Sequence, residues 1–218
     1  MKTTRLSVIA MLLLNFLLLV FTIPAQATDN VYNQSIIVTN KKTGKSFELS
    51  SIAVTNLLLL RKILISQGLS EHIETLQAIM MVETRAGTGG SIGLPHAHPS
   101  IRSYGLMQVT VPTARVMFRD FPELLEQFFG KKELKNIKDK ELKNLLLTNN
   151  TANIILGITV FSLYLKMVNE EWARAVASYN MGIGNALKRK HAIKSDYVKK
   201  VREWIPFMKD FNEQIAQT

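Results

Sequence analysis

The stretch Leu76-Gln77-Ala78-Ile79-Met80-Met81-Val82-Glu83-Thr84-Arg85-Ala86-Gly87 decides how the chain is read. Leu76, Ile79 and Met80 recur at helical spacing, Ile73 extends the stripe back toward an N-cap at Ser70, and Gly87 supplies the stop. Glu83 falls in line with that stripe, so an apolar helix face ends in a carboxylate. There it is partly desolvated and sits at the negative end of the helix dipole, and both effects disfavour ionisation and raise its pKa. A carboxyl group that keeps its proton toward neutrality is a general acid. The same position also suits an exposed helix-end glutamate paired with Arg85 or another base, and register alone leaves both readings open.

The flanking segments favour a site. Residues 88–104 contain Gly89-Gly90, Gly93, Pro95 and Pro99 and read as loop. Ser103-Tyr104-Gly105-Leu106-Met107-Gln108 follows as a turn carrying a sulfur and an amide, suited to the N-acetyl group of a sugar. Further on, Ala177-Ser178-Tyr179-Asn180-Met181-Gly182 ends a helix with a phenol and an amide beside a glycine. From Thr84 to Arg119 there is no Asp or Glu. Hydrolytic glycosidases usually use two carboxyl groups, about 5–5.5 Å apart for retention and about 6.5–9.5 Å apart for inversion. A lone glutamate therefore favours a route without that second carboxylate, although a distant acid such as Asp120 could fold in.

The rest of the chain is mainly helical. Residues 52–67 and their run Leu57-Leu58-Leu59-Leu60 form a helix closed by Gly68. Thr110-Val111-Pro112 opens a helix to about Phe118, and Pro122 opens another that ends at Gly130. Asn149 or Asn150 caps a long apolar helix through Ile154, Ile158, Phe161 and Leu165. Asn169-Glu170-Glu171 opens the helix of Trp172, Val176 and Tyr179, which Gly182 and Gly184 break. Ser195 or Asp196 caps the last helix, with a kink expected at Pro206. Ahead of these helices, Ser35-Ile36-Ile37-Val38 and Ser46-Phe47-Glu48-Leu49 flank a glycine-bearing turn and read as a small β-hairpin, an adornment to the helical domain. Trp172 and Trp204, at helical spacing with apolar neighbours, read as core, as do Met80 and Met81, while His72 and His191 read as surface.

Composition adds an address. None of the 17 acidic residues lies in the first 27, where Lys2 and Arg5 precede an apolar run ending at Pro24 and Ala25-Gln26-Ala27. This pattern is that of a secretory signal peptide with cleavage expected after Ala27, which would leave no stable membrane span; left uncleaved, the apolar run would serve as an anchor. The division is then 1–27 leader, 28–50 hairpin segment and 51–218 helical domain. Removing Lys2 and Arg5 takes the formal charge from +10 to +8. The chain has no cysteine, which excludes disulfides, thiol chemistry and a lipidated N-terminal cysteine. A basic exported protein meets anionic cell-wall polymer or lipid rather than nucleic acid. The lysines of 131–140 and Lys188-Arg189-Lys190 read as a solvated helix face and a helix end. His96-Ala97-His98 offers two imidazoles with no third ligand evident, so neither metal nor cofactor is expected.

Taken in order, Glu83-Thr84, Gly105-Leu106-Met107-Gln108 and Tyr179-Asn180-x-Gly182 resemble the motifs of lytic transglycosylase family 1, the SLT domain with a goose-type, lysozyme-like fold. The resemblance spans roughly residues 69–201 and leaves out the hairpin and the last helix. Thr84 stands where the family usually has serine, Arg102-Ser103 where it has Gly-Ala, and Val160-Phe161 where Tyr-Leu is common, while Asn153-Ile154-Ile155-Leu156-Gly157 keeps the family's Asn-Ile-x-x-Gly.

The resemblance implies an exported enzyme that cleaves the bond between N-acetylmuramic acid and N-acetylglucosamine in peptidoglycan. Glu83 would protonate the glycosidic oxygen, then take the proton of the muramyl 6-hydroxyl as a 1,6-anhydro ring closes. Thr84, Ser103, Tyr104, Met107, Gln108, Tyr179 and Asn180 would bind substrate, with Tyr179 orienting the glutamate and Arg102 a candidate for a stem-peptide or muramyl carboxylate. The implied location is the periplasm and the implied partner peptidoglycan, with a secretion, conjugation or pilus apparatus as a further one. A hydrolytic muramidase and a non-catalytic wall-binding module are the rival readings.

Overall fold

The computed structural model describes residues 34–90, 92–93 and 102–217. The leader expected at 1–27 and the pair His96 and His98 lie outside them.

The hairpin comes first: β1 (Ile36–Asn40) and β2 (Lys45–Leu49) pair antiparallel, from Ile36 opposite Leu49 to Asn40 opposite Lys45. Helix α1 (Ser51–Ser66) follows, capped by the Ser50 hydroxyl. A 3-10 turn at Ser70–His72 leads into α2 (Ile73–Thr84). Ser70 was expected to cap this helix, but a 3-10 turn intervenes and no side chain caps it. The stop comes before Gly87: Arg85 and Ala86 already take left-handed φ of 50° and 52°, and their N–H groups bond back to the carbonyls of Met81 and Met80.

The segment after α2 departs from the expectation of plain loop. β3 (Ile92–Gly93), β4 (Ser103–Tyr104) and β5 (Val109–Thr110) form a small antiparallel sheet in that order. Strands of two residues, the first among glycines, are too short for an alternating pattern to be read.

Helices then fill the domain. α3 (Val111–Asp120) is capped by Thr110 and carries Pro112 in its first turn, and α4 (Pro122–Phe129) ends at Gly130. The lysine-rich stretch becomes a 3-10 turn and α5 (Asp139–Thr148). Asn149 caps α6 (Asn150–Met167), whose residues from Ala152 to Ser162 are all buried. α7 (Trp172–Met181) ends at Gly182, but Gly184 does not prolong the break: it lies inside a short α8 (Ile183–Lys188). Ser195 caps α9 (Asp196–Ile215), which runs through Pro206 as one helix.

Among the described residues, α6 is buried along most of its length and packs against α1, α5 and α7, while α2 packs chiefly against α9 and also against α1. α2 and α9 are tied by an amide pair in which Asn212 donates to Gln77 Oε1 at 2.8 Å. The hairpin is more than an adornment. Val38 and Leu49 are fully buried, Thr39 N–H donates to the buried Asp210 of α9 at 2.8 Å, and Gln214 donates to the Ile37 carbonyl. Met80 and Met81 are core as expected. Trp172 and Trp204 are only half-buried: Trp172 Nε1 donates to Thr75 at 3.0 Å, and Trp204 meets Phe47 edge to face. His191 is exposed, whereas His72 is half-buried against Phe161. No single helix among the described residues is long and apolar enough to cross a membrane.

Candidate active site

Glu83 occupies the last turn of α2, where the apolar stripe meets a cavity of about 490 Å³. Ser103 of β4, Gln108, and Thr110 and Thr113 at the start of α3 line one part of it; Val160 and Tyr164 of α6 and Tyr179, Asn180 and Gly182 at the end of α7 line another. Glu83 is its one acidic residue among the described residues. Burial pushes the Glu83 carboxyl up to about 7, against a smaller opposing effect of a hydrogen bond from Tyr197. The helix-end alternative, an exposed glutamate paired with Arg85 or another base, does not describe this geometry: the carboxyl is half-buried and accepts from a phenol.

That phenol corrects the expectation about the positioning tyrosine. Tyr197 Oη, from the first turn of α9, donates to Glu83 Oε1 at 2.5 Å. Tyr179 Oη instead donates to the Met107 carbonyl at 2.8 Å, so its hydroxyl latches the motif turn to α7. Both phenols are held well above their ordinary pKa, first by burial and then by the nearby Glu83 charge, and so remain donors. The last helix, left outside the resemblance, therefore supplies the group that touches Glu83. Its signal was present in the sequence: Tyr197 shares a face with Val201, Trp204 and Met208 and ends an apolar stripe in a hydroxyl, as Glu83 ends another in a carboxylate.

The remaining expected residues divide into two groups. Ser103, Gln108, Tyr179 and Asn180 reach the cavity; Thr84, Tyr104 and Met107 are buried and are not among its lining. Thr84 turns inward, its hydroxyl donating to the Leu106 carbonyl at 3.0 Å and accepting from Gly87 N–H at 3.2 Å. A helix residue next to a cavity-facing one is rotated by about 100°, which sends Thr84 under the loop. Tyr104 and Met107 face away for the corresponding reason on the strand and turn. Arg102 is half-buried just before β4 and is likewise absent from the lining.

The turn itself is over-determined. Gln108 takes φ 50°, donates to the Gly105 carbonyl at 2.8 Å and accepts from Ser103 Oγ at 2.7 Å, which aims its amide along the cavity wall. Asn153, fully buried on α6, accepts from Met107 N–H at 2.7 Å and donates to the carbonyls of Tyr104 and Leu146. Gly105 has φ 75°, and a Cβ there would lie 2.3 Å from the Leu146 carbonyl and 2.4 Å from Asn153. A Cβ on Gly157 would lie 2.6 Å from that of Met107, so the glycine lets α6 approach the turn closely. The Asn-x-x-x-Gly pair of α6 is thus the seat of the motif turn, a role that sequence spacing did not reveal. Among the described residues no group of three or more His, Cys, Asp or Glu comes together.

A helical domain that ends a core helix in one carboxyl group of raised pKa, facing an open polar cleft, has the architecture of a lysozyme-like domain. The chain belongs to the transglycosylase SLT domain family, whose model matches residues 70–204, more than half of its length. The family consists of peptidoglycan lytic transglycosylases, and the match reaches into α9 as far as Trp204, past Tyr197. No curated protein and no solved structure matches the chain.

Proposed function

We propose that the protein is an exported lytic transglycosylase that cleaves the β-1,4 bond between N-acetylmuramic acid and N-acetylglucosamine without water, using Glu83 alone as acid and base. The observation that carries the proposal is the pairing of a glutamate raised to about 7 with a cavity whose lining holds no second carboxylate among the described residues. At neutral pH a large share of Glu83 is protonated and can give its proton to the glycosidic oxygen as the bond breaks. The carboxylate left behind accepts the proton of the muramyl 6-hydroxyl, which closes onto the anomeric carbon, so proton and bonds balance and no water enters. Tyr197 steadies the carboxylate through both steps, because its hydroxyl donates to either form of Glu83.

Ser103, Gln108 and Asn180 supply the polar contacts to the sugar ring substituents, and Tyr179 acts by fixing the turn that carries Gln108. The signal-like residues 1–27 support export to the periplasm, where peptidoglycan is the substrate at hand. Both general wall turnover and local opening of the wall for a secretion, conjugation or pilus apparatus fit such an enzyme.

Product mass tests the reading. Digestion of isolated sacculi is expected to release 1,6-anhydromuropeptides. A hydrolytic muramidase would give reducing-end products heavier by one water, and a wall-binding module would bind sacculi and release nothing.

A further inference from the structure

A second concavity, of about 770 Å³, lies outside the catalytic cleft between the end of α4 and α5. Lys132, Lys140, Lys143 and Asn144 give it a basic, polar lining, and Phe129 and Leu145 an apolar one. Glu141, the one acid in its lining, and the neighbouring Asp139 are already engaged. Glu141 accepts from the Lys138 N–H and from Lys132 Nζ, which hold its carboxyl below the ordinary range, and Asp139 is bound by Arg115. Lys140 is exposed with no acidic partner among the described residues, and Lys143 reaches over the Tyr104 ring at 5.6 Å. The groove therefore presents uncompensated positive charge beside carbon surface. A solvated helix face, the reading from sequence alone, does not call for such a concavity.

Its place relative to the cleft is informative. Ser103 lines the catalytic cavity, and the next residue, Tyr104, meets Lys143 on the other side of the same strand. Leu146 of α5 lies directly behind Gly105 of the motif turn. The thin β4 turn is thus the partition between cleft and groove. An extended tetrapeptide reaches about 13 Å, enough to cross one strand.

On the reading of the cleft as a peptidoglycan site, we propose that this groove binds the carboxylate-bearing stem peptide of the glycan strand held in the cleft. The lysines take the stem carboxylates, Asn144 takes a peptide group, and Phe129 and Leu145 pack against small aliphatic side chains. Mixed charge and carbon suit a short acidic peptide better than a polymer whose charges alone would be recognised.

The test compares the full chain with Lys140→Glu and with Lys140→Glu/Lys143→Glu on stem-bearing glycan strands and on the same strands stripped of peptide. The ratio of kcat/KM on stem-bearing to stripped strands is expected to fall about three- to tenfold in the double variant and less in the single one. In the wild type the ratio is expected to fall with added salt. Equal ratios in all three proteins would overturn the proposal. Direct titration with free stem tetrapeptide, read by NMR, is expected to shift Lys140 and Asn144 and not the residues around Glu83. No shift in the groove would overturn the proposal even if the cleft reading stands, and a chain that cleaves neither substrate yet shows the shift would overturn only the cleft reading.

Discussion

Glu83→Gln should change how the protein's stability depends on pH, by an amount that follows from the site. In the folded chain the Glu83 carboxyl is held up to about 7 by burial, against 4.5 for an ordinary glutamate. Below pH 4.5 both folded and unfolded chains carry the proton, and the group costs nothing. Between 4.5 and about 7 the unfolded chain has released a proton that the folded chain keeps, so stability falls as pH rises. Above about 7 the folded chain carries an ionised, half-buried carboxylate, and the loss is complete. At about 1.4 kcal/mol for each pH unit, this amounts to about 3 kcal/mol. Glutamine keeps the shape, accepts the Tyr197 hydroxyl through its amide oxygen and does not titrate, so the variant escapes the loss.

The assay is urea unfolding of wild type and variant from pH 4.5 to 8. All other groups titrate alike in the two proteins and cancel in the difference. With a urea slope of about 2 kcal/mol per molar, the variant's midpoint should gain about 1.5 M on the wild type across that range, nearly all of it between pH 5 and 7.5. A difference that stays constant with pH would refute the argument, because it would mean that Glu83 is solvated like any surface glutamate.

Tyr197→Phe removes the hydrogen bond that favours the ionised carboxyl, so the Glu83 pKa should rise further and the alkaline limb of the activity profile should move up by about one pH unit, with kcat lowered. An unmoved limb would reduce Tyr197 to a packing residue. Asn153→Ala leaves the Met107 N–H and the Tyr104 carbonyl buried without their partner. It should cost about 3 kcal/mol in urea unfolding and weaken activity by loosening the turn of Gln108, and a loss under about 1 kcal/mol would contradict the clamp.

The helix of Glu83 was legible because Glu83 obeys the same helical spacing as the apolar residues before it, and the flanking motifs, not register alone, favoured a site over a helix-end ion pair. Caps at Thr110, Asn149 and Ser195 were legible for a local reason: each is a short polar side chain bonded to an N–H three residues on. Tyr197 was not assigned to the site, because nothing local says that a phenol 114 residues from Glu83 meets it. Only the packing of α2 on α9 does that. Thr84 and Tyr179 show the converse limit. Both belong to motifs that surround the cleft, yet their hydroxyls serve the backbone of the motif turn, since motif membership reports proximity and not direction. The hairpin's role was hidden because alternation identifies strands but not the buried Asp210 that receives one of them.

The central claim is that one carboxyl group, acting as acid and then base, breaks the glycan without water. Quantifying 1,6-anhydromuropeptides released at pH 6 from sacculi by wild type and by Glu83→Gln, with the fold of both checked by circular dichroism, addresses it most directly. The account predicts anhydro products from the wild type and none above background from the variant. Anhydro products from both, or products carrying an added water from the wild type, would contradict it.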